Sequence, residues 1–254
     1  ERARAALAGA DAVVVWAPDP AGEVAARLAR LGVGRAIVAP AQPPANQPAA
    51  PHTAVWLADA LRPLGMAPPT DPATLAAHLA PLRAPAEASA EAQTLWRRWE
   101  LGRRVVALHP GSGSPAKRWP AERFAEVSRL ARDAGYQPLL LAGEADAQAL
   151  AETQAALARL GGAAVAARGL ALATVAALLA RCAGYIGCDS GVSHLAGLVG
   201  APTVAIFGPT APARWAPLGP RVRTAQAPDR RLDQLAAAAV WATLVALIGD
   251  TDAT

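Results

Sequence analysis

The residues Gly184-Tyr185-Ile186-Gly187-Cys188-Asp189-Ser190-Gly191-Val192-Ser193-His194-Leu195-Ala196 decide the fold. The short apolar run 185–188 reads as a strand covered on both faces, and the Asp-Ser-Gly after it reads as the start of a helix. A strand that feeds a helix through so short a loop belongs to a βαβ unit of a parallel sheet. With a helix opening near Ser190, the N–H groups of Ser190 and Gly191 point out of its N-terminus, where they can hold an anion. Asp189 falls at or beside the N-cap, a capping role compatible with ligand contact. His194 lies four residues beyond Ser190 on the same helical face, so it orients the loop or touches a phosphate.

Working outward, the same signature repeats. Short aliphatic runs near 105–109, 138–142, 163–166 and 203–207 alternate with helical segments, as in a sheet covered by helices on both sides. Pro120 suits the first position of a helix running to Ala134, and Gly135 stops it. A final amphipathic stretch over 231–248 reads as a terminal helix. Upstream, 12–16, 22–31 and 36–39 make one βαβ unit. Residues 40–51 read as a loop, 52–64 as a helix ended by Gly65 and Pro68-Pro69, and 90–100 as another helix. Two strands in the first hundred residues do not make a full doubly wound domain.

Ligands of such sheets sit beyond the carboxyl ends of the strands. One loop there is His109-Pro110-Gly111-Ser112-Gly113-Ser114-Pro115-Ala116-Lys117-Arg118-Trp119-Pro120. Glycines let a backbone approach a phosphate, serines add hydroxyl donors, and Lys117 is a point charge just before a helix. Its Gly111-x-Gly113-x-x-Ala116 formally matches a dinucleotide fingerprint. That fingerprint needs a helix opening within the glycines and an acid about twenty residues on, whereas Pro115 and Pro120 delay the helix and Glu144 comes too late. A further loop, Phe207-Gly208-Pro209-Thr210, brings a tight turn and a hydroxyl to the same edge.

Composition narrows the classes. The chain has 254 residues, 53% of them hydrophobic, enough for a sizeable core. No run has the length and apolarity of a transmembrane segment, and the opening residues do not form an export signal. Cys182 and Cys188 are too sparse for a disulfide framework or a metal cluster, and a reducing cytoplasm is the default. A net charge of +4, spread without clusters, speaks for an anionic small ligand or a membrane surface over nucleic acid. Of the 24 basic residues, Lys117 is the only lysine, so its place in a Gly/Ser/Pro loop calls for a reason.

Taken in order, these segments resemble the donor half of glycosyltransferase family 9, the heptosyltransferases of lipopolysaccharide core assembly. The likeness is carried by His109-Pro110-Gly111 through Lys117-x-Trp119-Pro120 with Phe124-Ala125, by Asp189-Ser190-Gly191-x-x-His194-x-Ala196, and by Pro202 with Phe207-Gly208-Pro209-Thr210. The resemblance implies an α/β fold of GT-B type: a doubly wound parallel-sheet C-terminal domain, 102–254, with a shortened α/β N-terminal lobe, 1–101, on the acceptor side. It implies a nucleotide-sugar donor of the ADP-heptose type and a glycolipid or other glycan acceptor. It also implies inverting transfer without metal or other cofactor, and a cytoplasmic enzyme peripheral at the inner face of the membrane.

Carried across by residue, Lys117, Ser112, Gly113 and Ser114 would meet the diphosphate, with Ser190 and Gly191 giving it backbone N–H bonds and His194 and Thr210 beside it. Asp189 would shape the donor pocket, and Leu170 falls where the family sets an apolar residue against the base. Lys117 and Asp189 are the catalytic candidates. Similar proteins carry their general base in an N-terminal Gly-Asp element, and the opening Glu1-Arg2-Ala3-Arg4 falls beyond it. Asp11, Asp19, Glu23 and Asp59 match no motif for that role. Two alternatives share these features: a nucleotide-sugar-binding module without catalysis, and a sugar-nucleotide epimerase or hydrolase of the same fold.

Overall fold

The computed structural model describes residues 5, 7, 9–43 and 51–249. The opening tetrapeptide and most of the loop over 40–51 lie outside the described residues. The chain divides into two compact units, Glu1–His78 and Leu79–Thr254.

In the first unit, β1 (Val13–Trp16) and β2 (Ala36–Ala39) run parallel around α1 (Glu23–Arg30). Asp19 accepts hydrogen bonds from the N–H groups of Val24 and Ala25, which holds its carboxyl below the ordinary value. This acid therefore caps a helix. The predicted helix over 52–64 is shorter, α2 (Thr53–Asp59) with a 3₁₀ turn at Arg62–Leu64, and it is tied to the sheet by Trp16 Nε1 on Leu57 O and Trp56 Nε1 on Pro40 O. A helix absent from the sequence reading, α3 (Pro72–His78), follows the double proline.

The second unit begins with α4 (Ala86–Arg98). Its buried stripe Ala88, Ala92 and Trp96 recurs every fourth residue, the helical spacing for one face. Ala92 and Trp96 join the core beneath the large sheet. This helix thus belongs to the compact unit that begins at Leu79, whereas the sequence reading places it in the N-terminal lobe.

Six parallel strands follow: β3 (Val105–His109), β4 (Gln137–Ala142), β5 (Val165–Arg168), β6 (Gly184–Cys188), β7 (Thr203–Phe207) and β8 (Val222–Gln226), in the order β5-β4-β3-β6-β7-β8. Alternate residues feed opposite cores, as a pleated strand requires. Val106, Leu108, Leu140 and Ile186 join one, with α5 (Ala121–Asp133), α6 (Ala147–Arg159) and α10 (Ala237–Gly249). Val105, Ala107, Leu139 and Tyr185 join the other, with α4, α7 (Leu172–Leu179) and α8 (Gly191–Leu198). A short helix, α9 (Pro212–Trp215), precedes β8.

Several sequence expectations shift. Pro120 is the N-cap of α5 and not its first residue, with ψ 139°. The strand expected at 163–166 is β5, two residues later. The terminal segment splits into a 3₁₀ turn at Leu232–Gln234 and α10. β8 was not foreseen: its sequence Val222-Arg223-Thr224-Ala225-Gln226 is mostly polar because it is an edge strand and largely exposed.

Candidate active site

β3 and β6 are neighbours, and the order of the sheet reverses between them. The loops leaving their carboxyl ends therefore diverge and open a crevice, the place where doubly wound sheets take ligands. A cavity of about 360 Å³ lies there. One wall is polar, with His109, Ser112, Gly113, Asp146, Ser190 and Gly191; the other is apolar, with Leu141, Ala167, Leu170, Leu172, Val175 and Val192.

Two glycines of the polar wall are unforced by the protein. A Cβ at Gly113 or at Gly191 would meet nothing within 4 Å, and neither residue has a left-handed φ. Neither packing nor backbone conformation demands glycine at these positions. Gly111 is different, because a Cβ there would collide with the Asp146 carboxylate.

Asp146 braces the polar wall of which it is a part. Its Oδ2 accepts from the Gly143 N–H at 3.0 Å and stands 3.1 Å from His109 Nε2. The histidine hydrogen bond, the Gly143 N–H and nearby Arg118 outweigh burial and hold this carboxyl below its ordinary value. The other ring nitrogen of His109, Nδ1, is 3.3 Å from Ser190 Oγ. Ser190 is the N-cap of α8, its carbonyl accepting from Ser193 and His194 N–H, so Gly191 is the first helical residue.

A second cluster centres on Asp189. Its Oδ2 accepts from Lys117 Nζ at 3.2 Å and from Thr210 Oγ1 at 2.8 Å, while its carbonyl accepts from Ser112 Oγ at 3.0 Å. The loops after β3 and β7 thus meet on one residue of the loop after β6. The Lys117 loop is anchored by Trp119, whose backbone N–H points at Cys188 Sγ and whose Nε1 donates to Leu235 O. Its ring sits edge-on to Phe124, with centroids 5.1 Å apart. Burial pushes the Cys188 thiol up to about 12, so it remains a neutral partner.

Among the residues singled out from sequence, Gly113, Leu170, Ser190 and Gly191 line the cavity, and Ser112 lines it with its hydroxyl directed to Asp189. Lys117, Asp189 and Thr210 form the adjoining cluster. Ser114 caps the 3₁₀ turn Pro115–Lys117 without a side-chain bond, and His194 lies in α8 outside the cavity wall. Asp146 was missed as a site residue, and His109 was read only as part of its loop. The available signal for Asp146 was Gly143-x-x-Asp146 directly after β4, an acid at the same sheet edge.

Strand order, crevice and loops define the class: an α/β domain of the GT-B type, built on a doubly wound parallel sheet. The model of glycosyltransferase family 9 (heptosyltransferase) matches residues 54–252, and the chain belongs to that family. Lipopolysaccharide heptosyltransferase 2 of Escherichia coli (strain K12) is 35% identical over 126 residues, 48% of this chain and 36% of that protein. Lipopolysaccharide heptosyltransferase 1 of Escherichia coli O18:K1:H7 (strain RS218 / NMEC) is 31% identical over 145 residues, 56% of this chain and 42% of that protein. The chain spans less than half the length of these curated relatives. A family 9 glycosyl transferase from Veillonella parvula DSM 2008 superposes with a TM-score of 0.79 at 20% identity, over 98% of this chain and 77% of its own. An E. coli heptosyltransferase with ADP gives 0.65 at 24% identity, over 96% and 75%. At these identities the two superpositions speak for the fold.

Proposed function

We propose that the second unit binds the donor of a glycosyl transfer, a heptose-type sugar on a nucleoside diphosphate of the ADP type, destined for a lipopolysaccharide or other envelope glycan. The observation that carries this reading is the pair Gly113 and Gly191, two glycines on the cavity wall where neither packing nor φ requires glycine and a ligand has room to approach the backbone. The diphosphate lies along them, taking N–H bonds at the start of α8. Lys117 supplies a positive charge from the adjoining cluster, and Asp189 and Thr210 fix where that charge sits. The nucleoside base lies on the apolar wall at Leu170.

Transfer follows the inverting course without a metal. An acceptor hydroxyl attacks the anomeric carbon, the bond to the diphosphate breaks, and the charge that grows on the leaving phosphates is met by Lys117 and the preorganised N–H groups. The first lobe meets the acceptor. A lipid-linked acceptor and a net charge of +4 support a peripheral association with the inner face of the cytoplasmic membrane; among the described residues no helix is long and apolar enough to cross one. Calorimetry with ADP and an ADP-sugar tests the donor assignment. Both bind and compete in the expected outcome, and failure of both to bind overturns it.

A further inference from the structure

Resting on that reading and deepening it, we propose that His109 is a positioning residue whose protonation decides whether Ser190 donates or accepts a hydrogen bond toward the donor diphosphate. The chain of contacts is Asp146 Oδ2 to His109 Nε2 at 3.1 Å, then His109 Nδ1 to Ser190 Oγ at 3.3 Å. His109 is buried, with both ring nitrogens engaged, and Ser190 stands beside Gly191 on the cavity wall to which His109 and Asp146 also contribute.

An ionised carboxylate only accepts, so Asp146 keeps the proton of the neutral ring on Nε2. Nδ1 is then a lone pair, and the Ser190 O–H turns back to it. Only oxygen lone pairs face the cavity, and a phosphoryl oxygen is itself an acceptor. Protonation reverses the polarity. Nδ1–H donates to Ser190 Oγ, the serine proton turns outward, and it donates to the phosphoryl oxygen. An anionic diphosphate therefore selects the imidazolium, and binding takes up a proton.

The other charged and titratable groups around His109 do not supply that proton change. On the turn before α6, Asp146 is held below the ordinary carboxyl value, with Arg118 from the β3–α5 loop acting in the same direction. On β6, burial raises the Cys188 thiol to about 12 and raises the Tyr185 phenol, leaving both neutral. Beyond Ser190, Lys117 and Asp189 compensate each other as an ion pair.

Calorimetry of ADP binding from about pH 7 to about 8.5, in buffers of different ionisation enthalpy, tests the coupling. The unaltered chain takes up part of a proton and loses affinity as pH rises, by at most about tenfold per pH unit. Ser190→Ala binds more weakly with a flattened slope. His109→Asn, whose amide gives Ser190 a permanent N–H and has nothing to titrate, binds ADP with the same flattened slope and better affinity than Ser190→Ala. The nucleotide's own titration is common to all three and cancels. A slope in the unaltered chain equal to that of Ser190→Ala overturns the proposal while leaving the nucleotide reading intact. No ADP binding by the unaltered chain at any pH sinks that reading, and this proposal with it.

Discussion

Lys117 and Asp189, 72 residues apart in sequence, meet at 3.2 Å across the β3–β6 crevice, and Thr210 donates to the same carboxylate oxygen at 2.8 Å. The lysine is the more accessible partner, its side chain 25% exposed against 10% for the aspartate. The pair is largely buried, so removing one partner costs stability by leaving the other charge uncompensated. It also has a geometric consequence: the carboxylate holds a flexible ammonium in one place beside the loops that line the cavity.

Lys117→Ala is expected to weaken ADP binding by about 1–3 kcal/mol, the scale of a charged hydrogen bond, and to lower the melting temperature, because the buried Asp189 carboxylate keeps Thr210 as a donor but loses its counter-charge. Titration calorimetry with a parallel thermal melt checks both. An unaltered Kd would remove Lys117 from the phosphate site.

Gly191→Ala separates ligand space from folding. Alanine is favoured over glycine inside a helix, less so at its first residue, and nothing lies within 4 Å of the added carbon. The variant should be at least as stable in urea and bind ADP at least about tenfold more weakly, the cost of displacing a ligand from one hydrogen bond. Equal affinity would mean that the backbone at Gly191 is not approached.

Trp119→Ala tests the anchor of the lysine loop. Removing a side chain only 2% exposed, together with its bond to Leu235 O, should cost about 3–5 kcal/mol in chemical denaturation. Trp119→Phe keeps the apolar bulk and loses the N–H; it should recover more than half of that loss. A mild effect from the alanine variant would show that the loop is held elsewhere.

Acid should loosen the polar wall through Asp146. Its folded-state carboxyl titrates below the ordinary value of 3.8, so its contribution is fully present above that value and is lost as pH falls through the lower, folded-state value. Asp146→Asn should therefore be less stable than the unaltered chain near neutral pH, and the gap between their urea midpoints should close in acid. A gap that is constant down to about pH 2 would contradict the linkage.

Much of the site was legible because its signals are local. The apolar run before Asp189 and the glycines and serines after His109 each report a strand end followed by a loop, and Lys117 stands out in a chain that otherwise uses arginine. Leu170 was reachable only through the family resemblance. Asp146 was not reachable in the same way, because its role comes from a meeting with His109, 37 residues away, across adjacent strands. Ser112 offers a hydroxyl in sequence, yet the fold directs it to the Asp189 carbonyl.

Sequence by itself determined the strand–helix alternation after residue 102, the loops that carry polar and glycine residues, and the family. Periodicity and turn chemistry act over a few residues and need no partner to be read. Tertiary structure alone decided that α4 packs with the large sheet, that a polar segment becomes the edge strand β8, and that Asp146, His109 and Ser190 form one chain of contacts. Those outcomes depend on the order β5-β4-β3-β6-β7-β8, which is set by how two apolar faces are covered at once.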